Sequence, residues 1–194
     1  MVIKEPVWKS FVAKTTRSPV LTPEECKTMI EIGRSQPKHE AKVFGSEKPE
    51  VSPDKRISHI SWIPFIDKAR PMYQKIEAVM HTINSNHFGF ENMQITEQAQ
   101  YTEYPVGGHY DWHIDASTHM QDAPPVRKIS MTLILSEDHE YEGGELQLLE
   151  REKGERVAYG HAIFFASFIR HKVAPITKGV RKSLVMWFGG TPFK

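Results

Sequence analysis

The strongest constraint on this chain lies in its second half, where from about residue 90 short strand-like runs alternate with turn residues at close intervals. The runs cover residues 93–104, 109–115, 127–136, 145–150, 157–165, 172–176 and 181–188. The turns contain Gly107-Gly108, Gly143-Gly144, Gly154, Gly160, Gly179 and Gly189-Gly190, as closely spaced antiparallel strands require. The pattern predicts a mainly β architecture, a sandwich or a barrel.

The first 90 residues read differently. Thr22-Pro23-Glu24-Glu25 has a threonine N-cap, a proline at the first helical position and a glutamate at the capping-box position. A helix starting there would put Cys26, Met29, Ile30 and Gly33 on one face and end at Ser35-Gln36-Pro37. After Pro71, Met72, Tyr73, Ile76, Val79, Met80 and Ile83 form a broad apolar stripe, with Asn84-Ser85-Asn86 closing a second helix. Both helices are expected to cover one side of the sheet. Residues 1–194 are read as a single domain, with 1–90 a helical support region and 91–190 the β core. Residues 47–55 and 117–125 are the expected lid loops.

Composition narrows the function. Lys plus Arg total 25 against 24 for Asp plus Glu, a formal charge of +1, so no basic surface calls for a nucleic-acid partner. A lone cysteine, Cys26, excludes an internal disulfide and a Cys-rich zinc site and favours a reducing compartment. No apolar run approaches the ~18 residues of a membrane span. These readings predict a cytoplasmic protein with no membrane partner; oligomeric state is not readable. Ten histidines raise the expectation of a metal site without locating it.

His113-Ile114-Asp115 places an imidazole and a carboxylate two residues apart, on one face if the backbone is extended. A histidine from a distant strand would complete a two-histidine, one-carboxylate set with open positions, suited to iron(II) oxygen chemistry. His171 is the candidate. Arg181, ten residues on, can grip a carboxylate bidentately. A bare H-x-D carries little information by itself, and the chain contains a second one, His109-Tyr110-Asp111, as well as a second downstream pair, His161 and Arg170.

The surrounding residues choose between them. The run from Tyr104 to Asp115, YPVGGHYDWHID, resembles the Y-x-x-G-x-x-Y-x-x-H-x-D signature of the prolyl 4-hydroxylase-like branch of the 2-oxoglutarate and iron(II)-dependent dioxygenases, which also includes the lysyl hydroxylase and PKHD types. Ser130-Met131-Thr132-Leu133-Ile134-Leu135 followed by Gly143-Gly144-Glu145-Leu146 is similar to that family's central strand and G-G-E segment. His171 to Ser183, HKVAPITKGVRKS, resembles its H-x-V-x-P-(x)3-G-x-R-x-S ending, with Trp187 in the usual following position. The three blocks occur in family order over about residues 86–190; the first ninety residues share only the helical layout.

The resemblance implies a double-stranded β-helix (jelly-roll) core flanked by two or more helices. It implies that His113, Asp115 and His171 bind Fe(II), and that Arg181 pairs with the distal carboxylate of 2-oxoglutarate. Tyr104, Leu146 and Ser183 match positions beside the co-substrate, and Tyr110 and Trp187 match positions facing the substrate. Thr132 or Ile134 stands where many relatives offer a polar group to assist the arginine. Dioxygen is the implied oxidant and ascorbate the implied reductant. The implied reaction hydroxylates a C–H bond, foremost of a prolyl or similar residue in a peptide or protein, with succinate and CO2 as co-products. The competing readings are a hydroxylase of a free amino acid or small metabolite, and a non-catalytic jelly-roll binding module. Nucleic-acid demethylation is disfavoured, because relatives with that activity carry a second arginine after the co-substrate arginine and residues 182–188 contain none.

Overall fold

A computed structural model describes residues 11–15, 17–41, 52–116 and 125–192. In chain order they form β1 (Val12–Lys14), α1 (Pro23–Ser35), β2 (His39–Glu40), β3 (Arg56–Ile57), β4 (His59–Ile63) and α2 (Arg70–Ile83), which runs into a π-turn (Asn84–Phe88). Then come β5 (Gln94–Ile95), β6 (Ala99–Tyr104), β7 (His109–His113), β8 (Val126–Ile134), β9 (Tyr141–Gly143), β10 (Leu146–Leu148), β11 (Ala162–Ala166), β12 (His171–Val173), β13 (Ile176–Gly179) and β14 (Arg181–Gly190).

The larger sheet has the order β1-β11-β8-β14-β6-β4-β2, with β5 paired to the far end of β14. A second sheet has the order β10-β12-β7-β3, and β9 pairs with β13. Every pairing is antiparallel, and the fold is the mainly β, jelly-roll type with two α-helices among the described residues. β8 and β14 carry the core: Ile129, Met131, Leu133, Leu184, Met186 and Phe188 are all fully buried. These residues alternate with a polar row on the opposite face, Ser130 and Thr132 on β8 and Arg181 and Ser183 on β14, as the two-residue period of a strand dictates. That polar row is the floor of the site.

α1 begins as expected. Thr22 accepts from the Glu25 backbone N–H, and the Glu25 carboxylate accepts from the Thr22 N–H. Such a cap is worth about 1 kcal/mol. Its buried face is Cys26, Met29, Ile32 and Gly33 rather than the expected Ile30. Gly33 lies so close to the sheet that a Cβ there would come within 2.5 Å of the Tyr101 ring, and this contact sets which side of the helix turns inward. α2 is pinned through Tyr73, whose hydroxyl donates to the Ile63 carbonyl (2.6 Å) and accepts from the Ala99 N–H (2.8 Å). The helix does not stop at Asn84-Ser85-Asn86. It widens into the π-turn and ends at Gly89, the residue that reaches φ +71°.

Several expected strands are shorter or divided. Residues 93–104 split into β5 and β6, 172–176 divides between β12 and β13, and of 157–165 only Ala162 onward is strand. The first ninety residues, expected as a helical support, also supply β1, β2, β3 and β4, and β4 lies inside the larger sheet beside β6. Of the proposed lids, 47–51 and 117–124 fall outside the described residues, while 52–55 form a turn that leads into β3. None of the helices among the described residues is long and apolar enough to cross a membrane.

Candidate metal centre

β7 and β12 are adjacent antiparallel strands whose register sets His113 directly opposite His171. Directly opposed residues project side by side, and the two imidazoles sit with centroids 4.1 Å apart. Asp115 joins them from outside the ladder. β7 ends at His113, so strand alternation is not what aims this carboxylate. The Asp115 and Ala116 backbone N–H groups both donate to the Ser167 carbonyl (3.0 Å each), and this turn swings the side chain back toward the histidines.

Asp115 Oδ1 lies 3.7 Å from His113 Nε2, and Oδ2 lies 3.5 Å from His171 Nε2. One ligand atom from each of the three residues falls within 4.8 Å of the others, and this is the one such cluster among the described residues. Each imidazole is oriented by its other nitrogen: His113 Nδ1 donates to the Asp111 carbonyl (2.7 Å) and His171 Nδ1 to the Ile169 carbonyl (2.9 Å). A carbonyl can only accept, so each Nδ1 carries a proton and each Nε2 is the ring nitrogen that faces the cluster. Burial, reinforced by the neighbouring His171, pushes the His113 imidazole down to about 3. Burial alone would raise the Asp115 carboxyl, but His171, His113 and the Ser130 hydroxyl outweigh it and hold it below its usual range. A neutral His113 imidazole and an ionised Asp115 carboxylate are states that bind a divalent cation.

The site extends along the sheet floor. Arg181 is 2% exposed, donates through Nη1 to Ser183 Oγ (3.0 Å) and lies with Cζ 5.5 Å from the centroid of Tyr104. Its Nε is buried without a hydrogen-bond partner, and no carboxylate among the described residues lies within ion-pair distance of the guanidinium. Gly144 makes room for it: with φ +69° it adopts a backbone few other residues tolerate, and a Cβ there would fall 2.8 Å from Arg181 Cδ and 2.3 Å from Ile176 Cδ1. Leu146 is buried on β10, in the sheet that carries both histidines. Of the groups considered as partners for the arginine, neither Thr132 nor Ile134 bonds to it; the hydroxyl in contact belongs to Ser183.

Tyr110 stacks on His113 (centroids 3.5 Å, 16° between planes) and lies under the Arg56 guanidinium, 4.3 Å from its centroid. Trp187 sits on β14 opposite Ser130. Arg127 covers its ring at 4.0 Å and is itself held bidentately by Glu97 (2.6 Å, both bonds). The second H-x-D stays apart: Asp111 is exposed and His109 Nδ1 bonds to the Gly107 carbonyl. His161 bonds to Thr15, and Arg170 pairs with Glu150. Away from the cluster, His87 has its Nδ1 buried, and His119 lies outside the described residues.

The spacing argument misses Ser130, Ser167, Arg56 and the Arg127–Glu97 pair. For Ser130 a signal existed, a small hydroxyl residue set between the apolar Ile129 and Met131 of the central strand. Arg56 follows directly on an expected loop, and no pattern singles it out.

Comparison with known proteins agrees with this geometry. Residues 99–189 match the 2OG-Fe(II) oxygenase superfamily. A PKHD-type hydroxylase of Parvibaculum lavamentivorans is 38% identical over 94 residues, 45% of this chain and 41% of that protein. One of Klebsiella pneumoniae is 28% identical over 129 residues, 63% of this chain and 58% of that protein. The matched part thus spans 41% to 58% of the length of these curated relatives. Among solved structures, a Pseudomonas putida prolyl-4-hydroxylase superposes with TM-score 0.69 at 20% identity, covering 94% of each chain. A prolyl hydroxylase from Trichoplax adhaerens, solved with a hypoxia inducible factor peptide fragment, superposes with TM-score 0.67 at 16% identity, covering 93% of this chain and 84% of that one. Through its β core, residues 99–189 and just under half of its length, the chain is thus similar to the 2OG-Fe(II) oxygenase superfamily.

Proposed function

We propose that this protein is an iron(II)- and 2-oxoglutarate-dependent hydroxylase acting on a prolyl or similar residue of a peptide or protein. The observation that carries the reading is Arg181. A fully buried guanidinium with only a hydroxyl for a partner among the described residues is costly unless an anion completes it, and it shares a barrel with a two-histidine, one-carboxylate cluster. A dicarboxylate that chelates a metal at one end and needs a cation at the other answers both features.

In this reading His113, Asp115 and His171 hold iron(II) through Nε2, one carboxylate oxygen and Nε2. Arg181 and the Ser183 hydroxyl bind the distal carboxylate of 2-oxoglutarate, with Tyr104 and Leu146 walling the pocket. Bound there, iron(II) supplies the oxidation of an unactivated C–H bond by dioxygen, coupled to decarboxylation of 2-oxoglutarate to succinate. The chain's own work is orientation and exclusion of water. No protein base is needed, so the surface carboxylates have no part in it. Tyr110, stacked on His113, and Trp187, flanked by Arg127, form the substrate side. The peptide fragment held by the Trichoplax neighbour supports a peptide in that place, and the free, buried Cys26 suits a reducing compartment such as the cytoplasm.

The test is succinate release from 2-oxoglutarate with a panel of proline-containing peptides set against free amino acids. Turnover with peptides is the expected outcome. Turnover confined to free amino acids overturns the peptide assignment while keeping the chemistry, and no turnover alongside metal binding favours a binding module.

A further inference from the structure

A pair of buried hydroxyls lies against the metal cluster. Ser130 and Ser167 are both fully buried. Ser130 Oγ donates to Asp115 Oδ2 at 2.7 Å, and Ser167 Oγ lies 3.0 Å from Ser130 Oγ. A hydroxyl has one proton, and a carboxylate can only accept. With Asp115 ionised, the Ser130 proton is committed to Oδ2, so the Ser167 hydroxyl donates to Ser130, and the chain runs in one direction from Ser167 through Ser130 to the carboxylate. Ser167 also fixes the backbone at the same point, because its carbonyl accepts from the Asp115 and Ala116 N–H groups while its own N–H donates to the Lys128 carbonyl (2.9 Å). The Trp187 indole N–H leans toward the same carboxylate but falls outside hydrogen-bonding geometry. Both serines come from the larger sheet or its following turn, whereas Asp115 follows the strand of the smaller sheet, so the hydroxyl chain ties the two sheets together at the cluster.

We infer that Ser130, backed by Ser167, is a positioning residue for the metal centre: it occupies Oδ2 so that Asp115 presents Oδ1 to the ion. The reasoning rests on the iron-binding reading above. Asp115 needs such a brace because it lies beyond the end of β7, with no strand partner to hold it. Without the brace the carboxylate can rotate, and binding must then order it. An outer hydrogen-bond partner of this kind is typically worth ~10–100-fold in metal affinity.

The test is calorimetric titration of the full chain with Mn(II), without oxygen or co-substrate, on wild type, Ser130→Ala, Ser130→Thr and Ser167→Ala, each checked by circular dichroism and thermal melting. Ser130→Ala is expected to bind Mn(II) ~10–100-fold more weakly. Ser130→Thr, which keeps the hydroxyl, should recover most of the loss, and Ser167→Ala should lie between wild type and Ser130→Ala. A role confined to packing would lower the melting temperature and leave the affinity alone. Wild-type affinity in Ser130→Ala overturns the inference while sparing the metal site. If Ser130→Ala does not fold, failure of Ser130→Thr to bind as wild type does, together with an unaffected Ser167→Ala, overturns it instead. Absence of Mn(II) binding in wild type overturns the metal-site reading itself, and the inference with it.

Discussion

Asp115 and Arg181 are both largely buried charges in one barrel, and the protein treats them in opposite ways. Asp115 sits between two imidazoles and accepts a hydroxyl that is itself held by a second hydroxyl. Arg181 has one hydroxyl partner, an unbonded Nε and no acid at ion-pair distance among the described residues. The first arrangement is preorganised around its charge and changes little when a cation arrives. The second leaves a charge to be completed from outside, which is how a pocket selects for a carboxylate: an uncharged ligand would leave the guanidinium without compensation.

The sharpest way to break this contrast is to remove each charge in turn. Asp115→Ala should abolish Mn(II) or Fe(II) binding in a calorimetric titration, a larger loss than the ~10–100-fold expected for an outer partner. Arg181→Met should leave the metal affinity intact and weaken 2-oxoglutarate by about 2–5 kcal/mol, roughly 30- to 4000-fold. Because no acid is orphaned, the same variant should make the ligand-free protein more stable, by about 1–4 kcal/mol in urea unfolding. A destabilised Arg181→Met would mean that the arginine is a structural element and not a waiting cation.

Smaller changes sharpen the comparison. Ser183→Ala removes the one acceptor of Arg181 and should cost about 1.5 kcal/mol in 2-oxoglutarate affinity, near tenfold, with no effect on metal. The metal end has a pH signature instead. His113 is held neutral in the fold, with its pKa lowered from the ordinary 6.5 to about 3, so between those values the unfolded chain binds the extra proton. The stability His113 contributes is complete above pH 6.5 and is lost as pH falls toward 3, with a slope of up to about 1.4 kcal/mol per pH unit. Urea midpoints measured across this range on metal-free protein should be less acid-sensitive in His113→Gln than in wild type; equal slopes would contradict the account.

What the sequence made legible follows from how local each signal is. The Thr22 cap and the α2 stripe are written within a few residues and were readable. The shared face of His113 and His171 depends on a pairing between β7 and β12 nearly sixty residues apart, and only the surrounding motif pointed to it. The expectation that alternation aims Asp115 had the right partner for the wrong reason, since Asp115 is held by a turn and by Ser130. Ile32 is buried and Ile30 only partly so, a distinction set by how the helix seats on the sheet, where Gly33 meets Tyr101. Ser130 stood out only as a small hydroxyl in its strand, and Ser167, in the turn after β11, has no meaning until the carboxylate they serve is known.

We propose that the histidine–carboxylate cluster and Arg181 form one site for iron(II) and 2-oxoglutarate together. Its most direct test is anaerobic addition of both to the protein while recording the visible spectrum. The account predicts a weak charge-transfer band in wild type that disappears in His171→Ala and, at moderate 2-oxoglutarate, in Arg181→Met. No band in wild type, or an unchanged band in His171→Ala, would contradict it.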